Sequence, residues 1–418
     1  MFQVLSRSWA LLLGMMLLMV GNGLQGTLLG VRGGIEGFST FEMSIVMSAY
    51  FAGFLGGSRV APEMIRRVGH VRVFAALASF ISAILILYPA FAHPVAWALG
   101  RVVIGFCFSG VYVTAESWLN NSADNTNRGK ALSVYMIVQM FGIVSAQVLL
   151  AMGDVSGYAL FIVSSVLVSI SFAPILLSIS PTPAFETAKP MPLKTLIKIS
   201  PLGCFGMFLL GGVFSAQFGM SAVYGVAAGL TIAQISLFVS SIYVGALLMQ
   251  YPIGWFSDRV DRRLVILIVA SLGGMMSLVA FSFDQYFGAL LVAAFIIGGT
   301  SNPLYSLLIA YTNDYLEADD MASASGGLIF INGMGAIAGP LVTGKMMDTF
   351  GTQAFFMVIA TLMLTLTGYA GYRMTQRSRD GIEDGLYAPV MPSSSPVAVE
   401  VASEYYIETA MDEEENET

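Results

Sequence analysis

Few side chains in this 418-residue sequence can do chemistry, and most of them lie inside long apolar runs. Arg101 carries a planar guanidinium that can grip a carboxylate, sulfonate or phosphate, or tune a proton site. Glu116 follows it by fifteen positions, roughly 22 Å along one helix at about 1.5 Å per residue, so the two cannot pair. Asn22 and Gln25 are three apart and share a helical face. Gln139, with Gln147 further along the same run, and Gln217, Tyr243, Asn302, Tyr305 and Asn332 are further polar candidates in the runs. Amides beside aromatic rings suit recognition of a small polar organic solute, the amides hydrogen-bonding and the rings packing. Individually, each amide can equally serve as glue between helices. Catalysis has less to draw on. His70 lies in a loop, His93 precedes Pro94 at the edge of a run, and no GxSxG motif or metal-ligand spacing occurs. Cys107 and Cys204 fall in different halves, which leaves no disulfide framework. No metal, cofactor or nucleic-acid partner is implied.

These groups need a scaffold, and the composition says which solvent it faces. Hydrophobic residues make up 56%, charged residues only 11%, and mean hydropathy is +0.77. A water-soluble domain carries about a quarter charged residues, so this surface faces lipid. Crossing the hydrocarbon takes about 20 apolar residues of helix. The sequence predicts twelve spans: 9–30, 42–60, 73–92, 95–119, 131–151, 158–178, 203–226, 232–254, 264–282, 286–311, 326–347 and 353–373. Continuously apolar runs favour helices over barrel strands, which alternate. Forty-four glycines suit close helix packing.

Basic residues orient the chain. With the N-terminus in the cytoplasm, only Arg32, Arg101 and Lys345 of the 19 Lys and Arg fall away from the cytoplasmic side, so both termini are expected inside. The first run is long, lacks a small-residue cleavage site and is followed by further spans, so it reads as a membrane helix rather than a secretory signal. Residues 380–418 hold eleven acids and no Lys or Arg, leaving fifteen acids against nineteen bases, a net charge of +4, in residues 1–379. That acidic, Pro/Ser-bearing tail, residues 376–418, is expected to be disordered in the cytoplasm.

A prolines-and-lysines stretch, residues 181–202, separates a six-span half at 1–180 from another at 203–375. A charged loop follows the second span of each: PEMIRRVGHVRV at residues 62–73 and PIGWFSDRVDRRLV at residues 252–265. Aligning Arg67 with Arg259 gives a repeat offset of 192 residues. Whole-half repeats mark transporters that expose a central site alternately to each side.

The second loop resembles the signature of the major facilitator superfamily, Gly-x-x-x-Asp-Arg-x-Gly-Arg-Arg. Gly254, Asp258, Arg259, Arg262 and Arg263 match it, and Asp261 replaces the second Gly. Arg101 with Gly105 resembles the superfamily's Arg-x-x-x-Gly pattern. Residues 48–51 (SAYF), Glu116-Ser117 and residues 127–129 (NRG) are similar, more narrowly, to the YcaD-like branch. The resemblance reaches to about residue 375. It implies an all-α membrane protein of two pseudo-symmetric six-helix bundles: a multi-pass, monomeric secondary transporter of the inner membrane. It also implies a central pathway lined by Asn22, Gln25, Arg101, Gln139, Gln217, Tyr243, Asn302, Tyr305 and Asn332. The solute is then small and polar, with an anionic group where Arg101 engages it, and the coupling ion, H+ or Na+, stays open. A non-transporting sensor or a membrane-embedded enzyme on the same scaffold is the alternative.

The first loop departs from the signature. Pro62 stands at the Gly position and Arg66 at the Asp position, while the loop before span 11 carries Asp314, Glu317, Asp319 and Asp320. Arg66 and Arg67 facing these acids would latch the two halves; plain positive-inside charge is the bland alternative. Asp258 is expected to bond its own loop's Arg259, Arg262 or Arg263, or the start of span 5, and Glu116 to bond Arg72 or Arg128. No Asp or Glu falls near mid-membrane in spans 1, 4, 7 or 10, where many proton-coupled members place one. Gly339-Pro340 predicts a bend in span 11. Span 5 has no Gly-Pro, a motif typical of drug exporters in this superfamily.

Overall fold

The structure, a computed structural model, describes residues 2–122, 128–177, 191–376, 387–395 and 397–399. Every regular element among the described residues is helical. In chain order they are α1 (Phe2–Ile35), α2 (Thr40–Val68), α3 (His70–Ala90), α4 (Pro94–Ser122), α5 (Arg128–Met152), α6 (Ala159–Ser171), α7 (Ala173–Leu177), α8 (Leu193–Ile199), α9 (Pro201–Ser215), α10 (Ser221–Ala227), α11 (Ile232–Ser257), α12 (Arg262–Phe283), α13 (Phe287–Asn313), α14 (Ala318–Phe350) and α15 (Ala354–Gln376). Spans 1 to 5 are α1 to α5. Span 6 is α6 with α7, span 7 is α9 and α10 joined by a π-helical turn at Ala216–Met220, and spans 8 to 12 are α11 to α15.

Among the described residues, eleven of the twelve spans are long and apolar enough to cross a membrane, α6 joined to α7 and α9 joined to α10 each counting as one. The twelfth expected span is α2, whose 29 residues are long enough but are diluted by Glu42, Arg59, Glu63, Arg66 and Arg67. The molecule is inside-out by the standard of a soluble protein: Phe80, Leu99, Val148 and Leu248 are exposed, while Gln25, Arg101, Gln217 and Asn302 are buried. That distribution fits lipid outside and polar contacts within.

The repeat offset of 192 recurs in structural detail. Gly37 and Gly229 adopt φ of +76° and +75°, a left-handed turn that glycine adopts without steric cost. Two residues later, Ser39 with Glu42 and Thr231 with Gln234 form capping boxes that start α2 and α11. Deeper in the same helices, a Cβ on Gly53 would come 1.9 Å from Val102 O, and one on Gly245 would come 1.9 Å from Phe295 O. These two glycines let span 2 press on span 4 and span 8 press on span 10, backbone to backbone. The repeat diverges at the next turn, where Gly69 uses φ of +84° and its counterpart Asp261 caps α12 through the Arg263 N–H.

Helices of each half pack mainly on one another, and spans 1 with 7, 2 with 11 and 5 with 8 join the halves. One end of the molecule bears most of the basic side chains, from Arg59 to Arg72 and from Arg259 to Arg263; it is termed the basic end. The opposite end is shut. There Gly30 abuts Ala222, Gly344 abuts Ser44, and Lys345 lies 5.9 Å from the Phe41 ring centroid. Nearer the middle, Ser48 Oγ donates to Ile337 O at 2.6 Å.

The tail departs from the sequence expectation of a disordered segment. Residues 387–395 and 397–399 lie against the helices, with Val390, Met391, Ala398 and Val399 buried. The charge density that predicted a solvated chain belongs to the flanking sequence; this stretch itself carries no charged residue.

Candidate functional site

A cavity of about 110 Å³ sits between the halves, with both contributing walls. Seven of the nine residues expected to line the pathway do so: Asn22, Gln25, Arg101, Gln217, Tyr243, Asn302 and Asn332. Gln139 and Tyr305 are buried but do not reach the cavity lining. Tyr305 lies instead within electrostatic reach of Glu116 of the other half. Gln147 is interhelical glue, donating to Gly23 O at 3.3 Å.

Arg101 is 4% exposed and held by neutral groups. Its Nη1 donates to Gln25 Oε1 at 2.9 Å, Nη2 to Met47 Sδ at 3.4 Å, and its guanidinium carbon lies 4.6 Å from the Tyr50 ring centroid. Gln25 Nε2 in turn donates to Asn22 Oδ1 at 3.1 Å, and Asn22 Nδ2 to the Tyr112 hydroxyl at 3.4 Å. No carboxylate of the described residues pairs with Arg101. An amide and a ring face orient the cation without neutralising it, which leaves its charge available to the cavity.

The second half supplies the facing wall. Gln217 sits in the π-helical turn of span 7, a local widening that recurs at functional sites. Ser301 Oγ donates to Gln217 Oε1 at 3.0 Å, and Asn332 Nδ2 is committed to Met207 O at 3.0 Å. Arg101 Nε, Gln217 Nε2 and Asn302 Oδ1 are buried and have no hydrogen-bond partner among the described residues. A buried polar atom left unpaired costs about 1–3 kcal/mol, so these two donors and one acceptor favour a polar occupant. Phe214, Phe218 and Tyr243 add a cluster of tilted rings, with centroids 4.3 Å apart for the first pair and 4.6 Å for the second. Tyr50, Phe51, Phe54, Tyr112 and Phe218 were not among the expected lining residues. The sequence signal for Tyr50 was available in the SAYF stretch, whereas Phe54 and Phe218 are ordinary apolar positions until the fold turns them inward.

The charged groups at the basic end pair differently from expectation. Arg66 and Arg67 both bond Glu63 on their own helix rather than the acids before span 11. The inter-half contact from this part of span 2 is Arg59, 4.2 Å from the Phe330 ring centroid. Arg262 pairs with Asp314 at 2.5 Å, Arg263 with Asp261 at 2.9 Å, and Arg259 stacks on Trp255 while donating to its carbonyl at 2.8 Å. Asp258, with its arginines so engaged, accepts the Tyr387 N–H at 2.7 Å. Burial holds the Asp258 carboxyl above its ordinary range, opposed by that N–H and by Arg262 and Arg259. Glu116 accepts from the Tyr135 hydroxyl at 3.3 Å and from the Ser395 N–H at 2.9 Å, while Arg72 is exposed. Asp320 is exposed, and the side chains of Arg128 and Asp319 lie outside the described residues. Span 11 runs as one helix through Gly339 and Pro340; a Cβ on Gly339 would come 2.1 Å from Ser215 Oγ, so that glycine serves packing against span 7.

Helices in two repeated halves, closed together at one end around a shared polar cavity, define a membrane transporter. The chain belongs to the Major Facilitator Superfamily, whose family model matches residues 11–233 and again 203–384. It is 27% identical over 375 residues, 87% of this chain and 95% of the relative, to the "Uncharacterized MFS-type transporter YcaD" of Escherichia coli O45:K1 (strain S88 / ExPEC). The same identity and coverage hold for the protein of that name from Escherichia coli O9:H4 (strain HS). Among solved structures, a point mutant of the nucleoside transporter NupG superposes with a TM-score of 0.76 at 17% identity, covering 88% of this chain and all of that one. A second NupG structure gives 0.71 at 16% identity, over 89% of this chain and all of that one. The protein is therefore a multi-pass membrane transporter rather than an enzyme, and its likeness to NupG is one of fold.

Proposed function

We propose that the protein carries a small polar organic solute bearing a carboxylate or sulfonate across the inner membrane by alternating access. On this reading both termini lie in the cytoplasm, which makes the basic end cytoplasmic and the closed end periplasmic. The observation that carries this reading is Arg101: a buried, uncompensated guanidinium on the cavity wall with an unpaired Nε. An anion arriving there would replace neutral partners with a charge-assisted pair, while Gln217 and Asn302 would bond its polar remainder. Movement would come from the halves, residues 1–180 and 203–375, rocking about the cavity. H+ or Na+ remains the coupling ion of this reading, and no Asp or Glu lines the described cavity to take it up. The test is a thermal-shift screen of purified protein against carboxylates, sulfonates, amino acids and sugars, followed by uptake in liposomes. A ligand at 100 times its Kd stabilises by about 2.7 kcal/mol. Stabilisation by neutral solutes alone would overturn the anionic assignment.

A second reading is favoured by the Phe214–Phe218–Tyr243 aromatic cluster, whose ring faces and edges suit a flat neutral ring such as that of a nucleoside. The fold's likeness to NupG, whose printed description is a nucleoside transporter, points the same way. A nucleoside in the same screen separates the two readings.

A further inference from the structure

The ordered tail segment has no place in the transport reading so far. Its backbone is held by side chains from both halves. Asp258 Oδ1 accepts from Tyr387 N–H at 2.7 Å, and Ser306 Oγ accepts from Val390 N–H at 2.8 Å and donates to Val390 O at 2.9 Å. Glu116 Oε2, from the other half, accepts from Ser395 N–H at 2.9 Å. Charge-assisted bonds to backbone N–H groups are among the stronger hydrogen bonds, and the one to Glu116 is buried away from water.

The side chains are seated as well. Met391 packs against Met136 and Met140 of span 5 and Ala246 of span 8, across the junction of the halves. The Tyr387 ring lies on Gly254, where a Cβ would come 2.4 Å from it. The equivalent position in the first half is Pro62, so only the second half offers this seat. Met391, Pro392 and Ser393 are part of the cavity lining, forming its floor toward the basic end.

We infer that the mouth of the cavity at the basic end is a peptide-binding groove, and that the described tail residues, 387–395 and 397–399 of the same chain, occupy it as a plug. Glu116, Asp258 and Ser306 bind the strap chiefly through its backbone, while Tyr387 and Met391 set its register. Solute exchanges with the basic side only after the strap leaves. The halves cannot close on each other at this end while it stays, so the docked strap also holds the transporter in the conformation closed at the opposite end.

The experiment needs no knowledge of the solute. In a Cys107→Ala, Cys204→Ala background, Ser58→Cys places one reporter thiol on the cavity wall, and its modification by a sulfonated maleimide is timed in purified full-length protein. Val390→Asp with Met391→Asp, which puts charge on two seated side chains, is expected to speed labelling at least about tenfold, the equivalent of ~1.4 kcal/mol in docking. Deleting residues 387–399 repeats this without added charge. In a separate protein carrying Ser306→Cys and Val390→Cys, oxidation is expected to join the strap to span 10 and slow labelling of the reporter below that of the parent. Equal labelling rates in the parent, loosened, deleted and cross-linked proteins would overturn the plug. Failure of the cysteine pair to cross-link would overturn the docking. Because labelling does not depend on which solute is carried, failure here is distinguishable from failure of the anion assignment.

Discussion

The guanidinium of Arg262 and the carboxylate of Asp314 lie 2.5 Å apart with their side chains 1% and 2% exposed, tying the start of span 9 to the end of span 10. Breaking a buried ion pair by removing one partner costs about 3–5 kcal/mol. Asp314→Asn is therefore expected to lower the unfolding temperature in detergent by several degrees. The exposed cluster of Glu63 with Arg66 and Arg67 is screened by water, and Glu63→Gln is expected to leave that temperature unchanged. Equal effects from the two substitutions would show that burial does not set the importance of these pairs.

Arg101→Lys keeps the charge but loses the planar fork and the stacking on Tyr50. Binding of a carboxylate or sulfonate solute is expected to weaken about tenfold, and Arg101→Gln to weaken it further, toward a hundredfold, in line with ~1.5–3 kcal/mol for a hydrogen bond to a charged group. Titration calorimetry reads both. A neutral solute should lose far less. Indifference of an anionic solute to both changes in folded protein would reduce Arg101 to a packing residue.

Gly53→Val and Gly245→Val are expected to abolish accumulation of monodisperse protein, because each would place a Cβ 1.9 Å from a backbone carbonyl of the neighbouring helix. Gly368→Ala, with nothing within 4 Å of the added carbon, is expected to leave yield and melting temperature at least as high as in the parent, since alanine is favoured over glycine in a helix by about 1 kcal/mol. Size-exclusion profiles separate these outcomes.

Amide hydrogen exchange reports the tail directly. Ser395 N–H, held by Glu116, is expected to exchange about ten- to a hundredfold faster in Glu116→Ala, while Glu116→Gln, which keeps an acceptor oxygen, retains part of the protection. The same contrast is expected at Tyr387 for Asp258→Ala against Asp258→Asn. Unchanged exchange in the alanine variants would mean that these carboxylates do not hold the strap.

Most of the polar site was legible because an arginine, or several amides, inside apolar runs is costly unless it faces a cavity or a partner. Arg101, Gln217 and Asn302 stood out on those grounds. Gln139 and Tyr305 carried the same signal but do not reach the cavity lining, since residue type says a group needs a partner but not where in the fold it finds one. Glu116 and Asp258 were read as structural from their loops, but a backbone N–H that each accepts, from Ser395 and Tyr387, comes from a segment more than a hundred residues away, which residue type alone does not reveal.

Solvent preference and local periodicity are properties of contiguous residues, so sequence alone determined that this chain is helical, lives in lipid and is built from a repeat. The structure extended that repeat to matching capping boxes 192 residues apart at Ser39 and Thr231. Which polar groups meet in one cavity, which end of the molecule is shut, and where residues 387–399 go were decided only by tertiary structure. Those outcomes depend on contacts between residues far apart in the chain, and an uncharged stretch such as residues 387–399 has no fixed conformation of its own until Glu116, Asp258 and Ser306 offer acceptors for its backbone.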